Sequence, residues 1–207
     1  MFRASVFTVV LFISGILIKP ESQERKNIIF FGDSITAGYG IPIEQAFTSL
    51  VQGKINEREL NYNVINAGLS GETSAGGLTR IDWILRSKPD IFFLELGGND
   101  GLRGLSLEET EKNLEAMVLK IRKANANATI FLCGMQIPPN LGQAYADNFK
   151  TLFSRVAKDQ DVNLIPFLLE GVGGEPELNL PDGIHPNPKG HEIVAETVWS
   201  YLEAVLN

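Results

Sequence analysis

The stretch Asn27-Ile28-Ile29-Phe30-Phe31-Gly32-Asp33-Ser34 sets an unbroken apolar run against a Gly-Asp-Ser turn. A half-exposed strand would alternate apolar and polar side chains. A short continuous run closed by turn residues fits a strand buried on both faces, the pattern of parallel sheets. Residues 27–31 are therefore read as the first strand, and Ser34 falls where that strand ends and the backbone turns. Outward along the chain, similar runs recur at residues 62–66, 91–96, 129–135 and 163–167. Helical patterns lie between them. The clearest covers residues 107–124, where Leu114, Met117, Val118 and Ile121 share one face and Ser106 with Glu109 gives a capping-box start. A last helix over about 189–206 pairs apolar residues at four-residue intervals and should pack on the sheet. Alternating strands and helices with right-handed crossovers predict a three-layer α/β/α sandwich around a five-stranded parallel sheet.

A chain of 207 residues with 44% hydrophobic content suits one domain with a proper core. We assign residues 27–207 to that domain and see no repeat, low-complexity tract or dividing linker. The net charge of −7 disfavours a nucleic-acid partner, since phosphate binding needs a basic surface. Cys133 is the only cysteine, so no intramolecular disulfide forms, and a lone thiol in an apolar run reads as a small hydrophobe. Residues 1–20 stand apart. Arg3 precedes an uncharged stretch over residues 4–18, closed by Lys19-Pro20, which has the n- and h-regions of an export signal. It is shorter than a typical membrane span of ~20 residues. No clean small-residue cleavage site follows, so an uncleaved anchor, with membrane association through this segment, stays open beside export to the periplasm or medium.

In a sheet of this kind functional groups gather beyond the carboxyl ends of the strands. Ser34 follows the first strand, Gly71 lies in the loop after the second, and Gly98-Asn99-Asp100 follows the third. Asp182-Gly183-Ile184-His185-Pro186 sits in the long Gly- and Pro-rich stretch 168–188 after the fifth. A serine nucleophile needs a base and an acid that orients the base. His185 can be that base, and Asp182, three residues earlier, can fold its carboxylate back onto the ring through a turn at Gly183. Pro186 biases His185 toward extended backbone. Attack on an ester carbonyl creates an oxyanion that needs pre-aimed donors. The backbone N–H of Ser34, a donor at Gly71 and the side-chain amide of Asn99 can supply them.

These blocks resemble the four signature blocks of the SGNH (GDSL) hydrolases. The similarity is greatest to the bacterial arylesterase, thioesterase I and lysophospholipase L1 branch. Residues 94–104, Leu-Glu-Leu-Gly-Gly-Asn-Asp-Gly-Leu-Arg-Gly, and 135–140, Met-Gln-Ile-Pro-Pro-Asn, carry that closer likeness, and the resemblance runs from about residue 27 to the end. It implies a flavodoxin-like sandwich, no cofactor, and Ser34, Gly71, Asn99 and His185 as the four marker residues with Asp182 completing the triad. The expected activity is hydrolysis of short- to medium-chain acyl and aryl esters through a Ser34 acyl-enzyme, with thioesters and lysophospholipids as further substrates.

Other readings are weighed beside these. Ser34 could be a helix N-cap, Asp182 a turn residue, and Asn99 a structural cap of its turn. Asp33, Glu95 and Asp100 read as structural supports, and His191 as a partly exposed, inert residue in the first turn of the last helix. Leu102, Leu105, Ile137, Pro138 and Leu141 read equally as loop packing or as a wall for the acyl or aryl group. The absence of a G-x-S-x-G elbow argues against an α/β-hydrolase. A carbohydrate O-acetylesterase would use the same constellation. A metal-dependent hydrolase built on Asp33, Asp182 and His185 is weakened by a sequence with two histidines. A ligand-binding module without catalysis is disfavoured by the complete triad.

Overall fold

The computed structural model of the protein describes residues 24–206; the stretch read as an export signal lies outside them. Among the described residues, β1 (Lys26–Gly32), β2 (Tyr62–Gly68), β3 (Ile91–Glu95), β4 (Thr129–Cys133) and β5 (Asn163–Ile165) form one parallel sheet in the order 2-1-3-4-5. This is the flavodoxin-like order, and its direction of winding reverses between β1 and β3. The first strand earns its central place by composition. Ile28, Ile29, Phe30 and Phe31 are all buried, and the registered trio Phe30, Phe93 and Phe131 stacks across β1, β3 and β4 at ring distances of 4.5 and 4.7 Å.

The helices are α1 (Ser34–Ala37), α2 (Phe47–Glu57), α3 (Ser74–Ile84), α4 (Gly98–Leu102), α5 (Leu107–Ala124), α6 (Gln143–Asp159) and α7 (Pro188–Leu202). Helix α3 packs on α5 and α5 on α6, while α2 packs on α7, giving helical layers on either face of the sheet. The long helix α5 has the expected bounds, and its buried residues include Leu114, Met117, Val118 and Ile121. Its capping box is half made. Ser106 Oγ accepts from Glu109 N–H at 3.3 Å, but the Glu109 carboxylate pairs with Lys112 instead of returning to Ser106.

Three strands end earlier than their apolar runs, β3 by a single residue at Glu95. β5 stops at Ile165 because Pro166 has no N–H to donate. β4 ends at Cys133, and Gly134 N–H makes the last rung of its ladder to β5, donating to Ile165 O at 2.7 Å. A Cβ at Gly134 would lie 2.2 Å from Pro166 O, so only glycine allows this close approach. Helix α7 closes at Leu202 and passes into a single 3₁₀ turn, Glu203–Val205.

Candidate active site

Ser34 is the first residue of α1, not its cap. Asp33 is the cap, and its Oδ1 accepts from Ile35 N–H at 3.0 Å. That cap rests on a buried acid from the neighbouring strand. Glu95 Oε2 accepts from Asp33 N–H at 3.1 Å and from Thr36 Oγ1–H at 2.7 Å. Gly32 makes room for this arrangement, since a Cβ there would lie 2.2 Å from both Glu95 Oε2 and Thr36 Oγ1. Burial pushes the Asp33 carboxyl up to about 6, opposed by the bonds from Ile35 and Asn99. Burial first, and then the Asp33 charge, drive Glu95 well above the usual carboxylate range.

His185 reaches Ser34 from the far end of the chain. His185 Nε2 is 2.9 Å from Ser34 Oγ, and His185 Nδ1 is 2.8 Å from Asp182 Oδ2. The turn through Gly183, at φ 75°, folds the acid back as its spacing suggested. Asp182 Oδ1 also accepts from the backbone N–H groups of Ile184 (3.0 Å) and His185 (3.1 Å). Partial burial works to raise the Asp182 pKa, but these bonds and the His185 ring outweigh it and hold the carboxyl below its ordinary value. It therefore stays ionised and fixes His185 with Nδ1 protonated and Nε2 free to accept from Ser34. The supporting loop is tied down at Asn179, which bridges Pro186 and donates to Val172 O and Glu175 O.

Two further segments face the serine. The loop after β2 carries Gly71 at φ 79°, a conformation that favours glycine. It is held by Arg80, which pairs with buried Glu72 and donates to Ala67 O at 2.8 Å while lying over the Phe31 ring. Helix α4, directly after β3, carries Asn99. Its neighbour Asp100 accepts from Ser74 N–H, Ser74 Oγ–H and Thr110 Oγ1–H, joining the starts of α3 and α5 to the site. Glu95 and Asp100 are thus the structural supports the sequence suggested.

Ser34, Gly71, Asn99 and His185 line a cavity of about 630 Å³. Leu102, Ile137 and Pro138 line it too. Leu105 and Leu141 do not; both are exposed and lie beyond the lining. The apolar wall is completed instead by Met135, Phe167 and Leu169, with Ile184 at the histidine end. Their signal was present in the sequence, as apolar residues directly after the fourth and fifth strands, but a linear reading does not say which of two adjoining loops turns inward.

The sequence profile of the GDSL-like Lipase/Acylhydrolase family matches residues 30–193. The chain belongs to this family. It is 38% identical over 200 residues to "Esterase TesA" of Pseudomonas aeruginosa, covering 95% of this chain and 98% of the relative. It is 37% identical to "Arylesterase" of Vibrio mimicus, covering 89% and 92%, and 32% identical to "Thioesterase 1/protease 1/lysophospholipase L1" of Escherichia coli K12, covering 95% and 92%. A crystal structure of TesA superposes with a TM-score of 0.83 at 38% identity, over 87% of this chain and 100% of that one. The protein is a GDSL-family ester hydrolase with the α/β fold of that group.

Within this esterase the second histidine behaves differently from its sequence reading. His191 is not partly exposed; it is 1% accessible, its ring lies parallel to Phe47, and its Nδ1 accepts from Phe47 N–H at 3.2 Å. Burial, and secondarily the charge of His185, lower its pKa to about 4. It is inert for packing reasons. Burial likewise raises the Cys133 thiol well above its ordinary value, which removes it as a nucleophile. Among the described residues no group of three or more His, Cys, Asp or Glu side chains could hold a metal ion. No described helix is long and apolar enough to cross a membrane.

Proposed function

We propose that this esterase hydrolyses short- to medium-chain acyl and aryl esters through an acyl-enzyme on Ser34, with acyl thioesters and lysophospholipids as slower substrates. The observation that carries the reading is the continuous chain Asp182–His185–Ser34, at 2.8 and 2.9 Å, ending inside the cavity. His185 Nε2 takes the Ser34 proton as Oγ attacks the carbonyl carbon, and the carbonyl π electrons move onto oxygen. The N–H groups of Ser34 and Gly71 and the Asn99 amide meet that oxyanion. On collapse, His185 gives its proton to the leaving alcohol, phenol or thiol. Water then repeats the sequence, releasing the acid and restoring Ser34. Asp182 keeps the ring in the right tautomer and balances the imidazolium.

The substrate class rests on the wall of Leu102, Met135, Ile137, Pro138, Phe167 and Leu169. Each buried methylene favours binding by ~0.8 kcal/mol, so rates should climb with acyl length until the cavity is filled. Among the described residues no Lys or Arg lines the cavity, so a polyphosphate carrier such as coenzyme A finds little to hold it. Export is part of the proposal, supported by Arg3 and the uncharged stretch over residues 4–18.

A fluorophosphonate should label the enzyme at Ser34, and a series of p-nitrophenyl esters from acetate upward should show kcat/KM rising and then levelling. Failure to label would remove the activated serine. Strong preference for acetylated sugars over p-nitrophenyl butyrate would transfer the enzyme to the carbohydrate O-acetylesterases.

A further inference from the structure

Tyr39 is left 51% exposed, yet it lines the cavity, and its ring lies 4.6 Å from the His185 ring, centroid to centroid, at a tilt of 40°. Glycines in the left-handed region flank it, Gly38 at φ 73° and Gly40 at φ 78°. On one side Gly38 closes α1, and Tyr39 N–H donates to Ser34 O at 3.0 Å. On the other, a Cβ at Gly40 would lie 2.6 Å from Leu180 Cδ1, so the backbone there fits tightly against Leu180. Leu180 N–H in turn donates to His185 O at 2.7 Å. The Tyr39 ring is thus mounted between the helix that carries Ser34 and the loop that carries His185. The two ring nitrogens of His185 are engaged at its edge, by Ser34 and Asp182, and Tyr39 packs against the ring beside them.

We propose that Tyr39 is a positioning residue whose ring steadies His185 and favours its imidazolium form. The inference rests on His185 as the base of the proposed mechanism. In that mechanism the imidazole takes the Ser34 proton, so positive charge develops on the ring that Tyr39 touches. An aromatic ring attracts a cation that lies within about 6 Å of its centre, and His185 is inside that range. The neutral imidazole carries no net charge to attract. The contact therefore strengthens as the proton moves, and an interaction stronger in the transition state than before it raises the rate. This work is done by the ring of Tyr39 and does not need its hydroxyl. The other titratable groups that face His185 are Asp182 from its own turn, Asp33 from the cap of α1 and His191 from α7. All three stay in place when Tyr39 is replaced, so a difference between variants at position 39 isolates the ring.

The test combines proton NMR titration of the histidines with kcat and KM on p-nitrophenyl butyrate, for the wild type, Tyr39→Leu, Tyr39→Phe and His185→Ala. The chain has two histidines, so the signal lost in His185→Ala assigns the other spectra. Tyr39→Leu keeps apolar bulk over His185 and removes the aromatic ring. It should move the His185 titration about half a pH unit toward acid and lower kcat at the alkaline plateau by about threefold. Tyr39→Phe keeps the ring and should match the wild type in both. Because Tyr39 is half-exposed, neither substitution opens the core. A Tyr39→Leu titration that stays in place or moves toward alkali would overturn the proposal, and so would a Tyr39→Phe enzyme that behaves like Tyr39→Leu. A change confined to KM would overturn it too, making Tyr39 a substrate-contact residue. Each of these results leaves His185 as the base. A His185→Ala enzyme that keeps its turnover would instead remove the base, and this inference with it.

Discussion

Acidification should loosen this fold through His191, a buried residue that takes no part in the proposed chemistry. Its pKa is about 4 in the folded protein against 6.5 for the free side chain. Between those values the unfolded chain binds a proton that the folded one refuses, so stability falls as pH drops through the window. Carried from neutral pH to pH 4, this costs about 3 kcal/mol, a large share of the roughly 5–15 kcal/mol that holds a domain together. The cause is concrete. Protonation removes the Nδ1 lone pair that Phe47 N–H uses and leaves a cation in a site that is 1% accessible. His191→Asn keeps an acceptor, Oδ1, near the same place but does not titrate. Urea unfolding of both proteins across this range isolates the effect, because Asp33 and Glu95, which pull the other way, are common to both. The variant should gain on the wild type by about 3 kcal/mol between neutral pH and pH 4, while kcat near pH 8 stays the same. Parallel stability profiles would refute the argument.

Ser34→Ala should abolish turnover in a folded protein with an unchanged unfolding curve, and His185→Ala should be comparably severe; esterase assays with circular dichroism decide both. Asn99→Ala should lower kcat by about 10²–10³ with little change in KM, whereas an effect confined to KM would make Asn99 a substrate-binding residue. Gly32→Ala should destabilise by about 1–3 kcal/mol, the usual range for overpacking, because the new methyl group meets Glu95 Oε2 and Thr36 Oγ1 at 2.2 Å. An unfolding midpoint unchanged from wild type would show that the acid under the turn moves freely.

Much of this architecture was legible before any coordinates. The apolar run at 27–31 announced a strand buried on both faces, and Asp182 and His185 announced their own pairing because the turn between them is local. The segment after β3 carried Asn99 in a recognisable glycine-rich turn. Other features depend on contacts distant in sequence. Nothing local to Glu95 says that its carboxylate holds the turn at Asp33, 62 residues away. Nothing local to His191 says that Phe47 will cover it. The choice of Phe167 and Leu169 over Leu105 and Leu141 for the cavity wall depends on how two loops pack, which no periodicity encodes.

Asp182 and His185 share one short turn, and Ser34 meets them from the other end of the chain. Asp182 and His185 are therefore a preassembled cartridge, wired by three bonds that never leave the turn. A designer who wants to re-aim His185 toward a bulkier ester need not rebuild the dyad. Lengthening or stiffening the chain on either side of Asn179 would swing the whole cartridge, with the single Ser34–His185 contact as the dial.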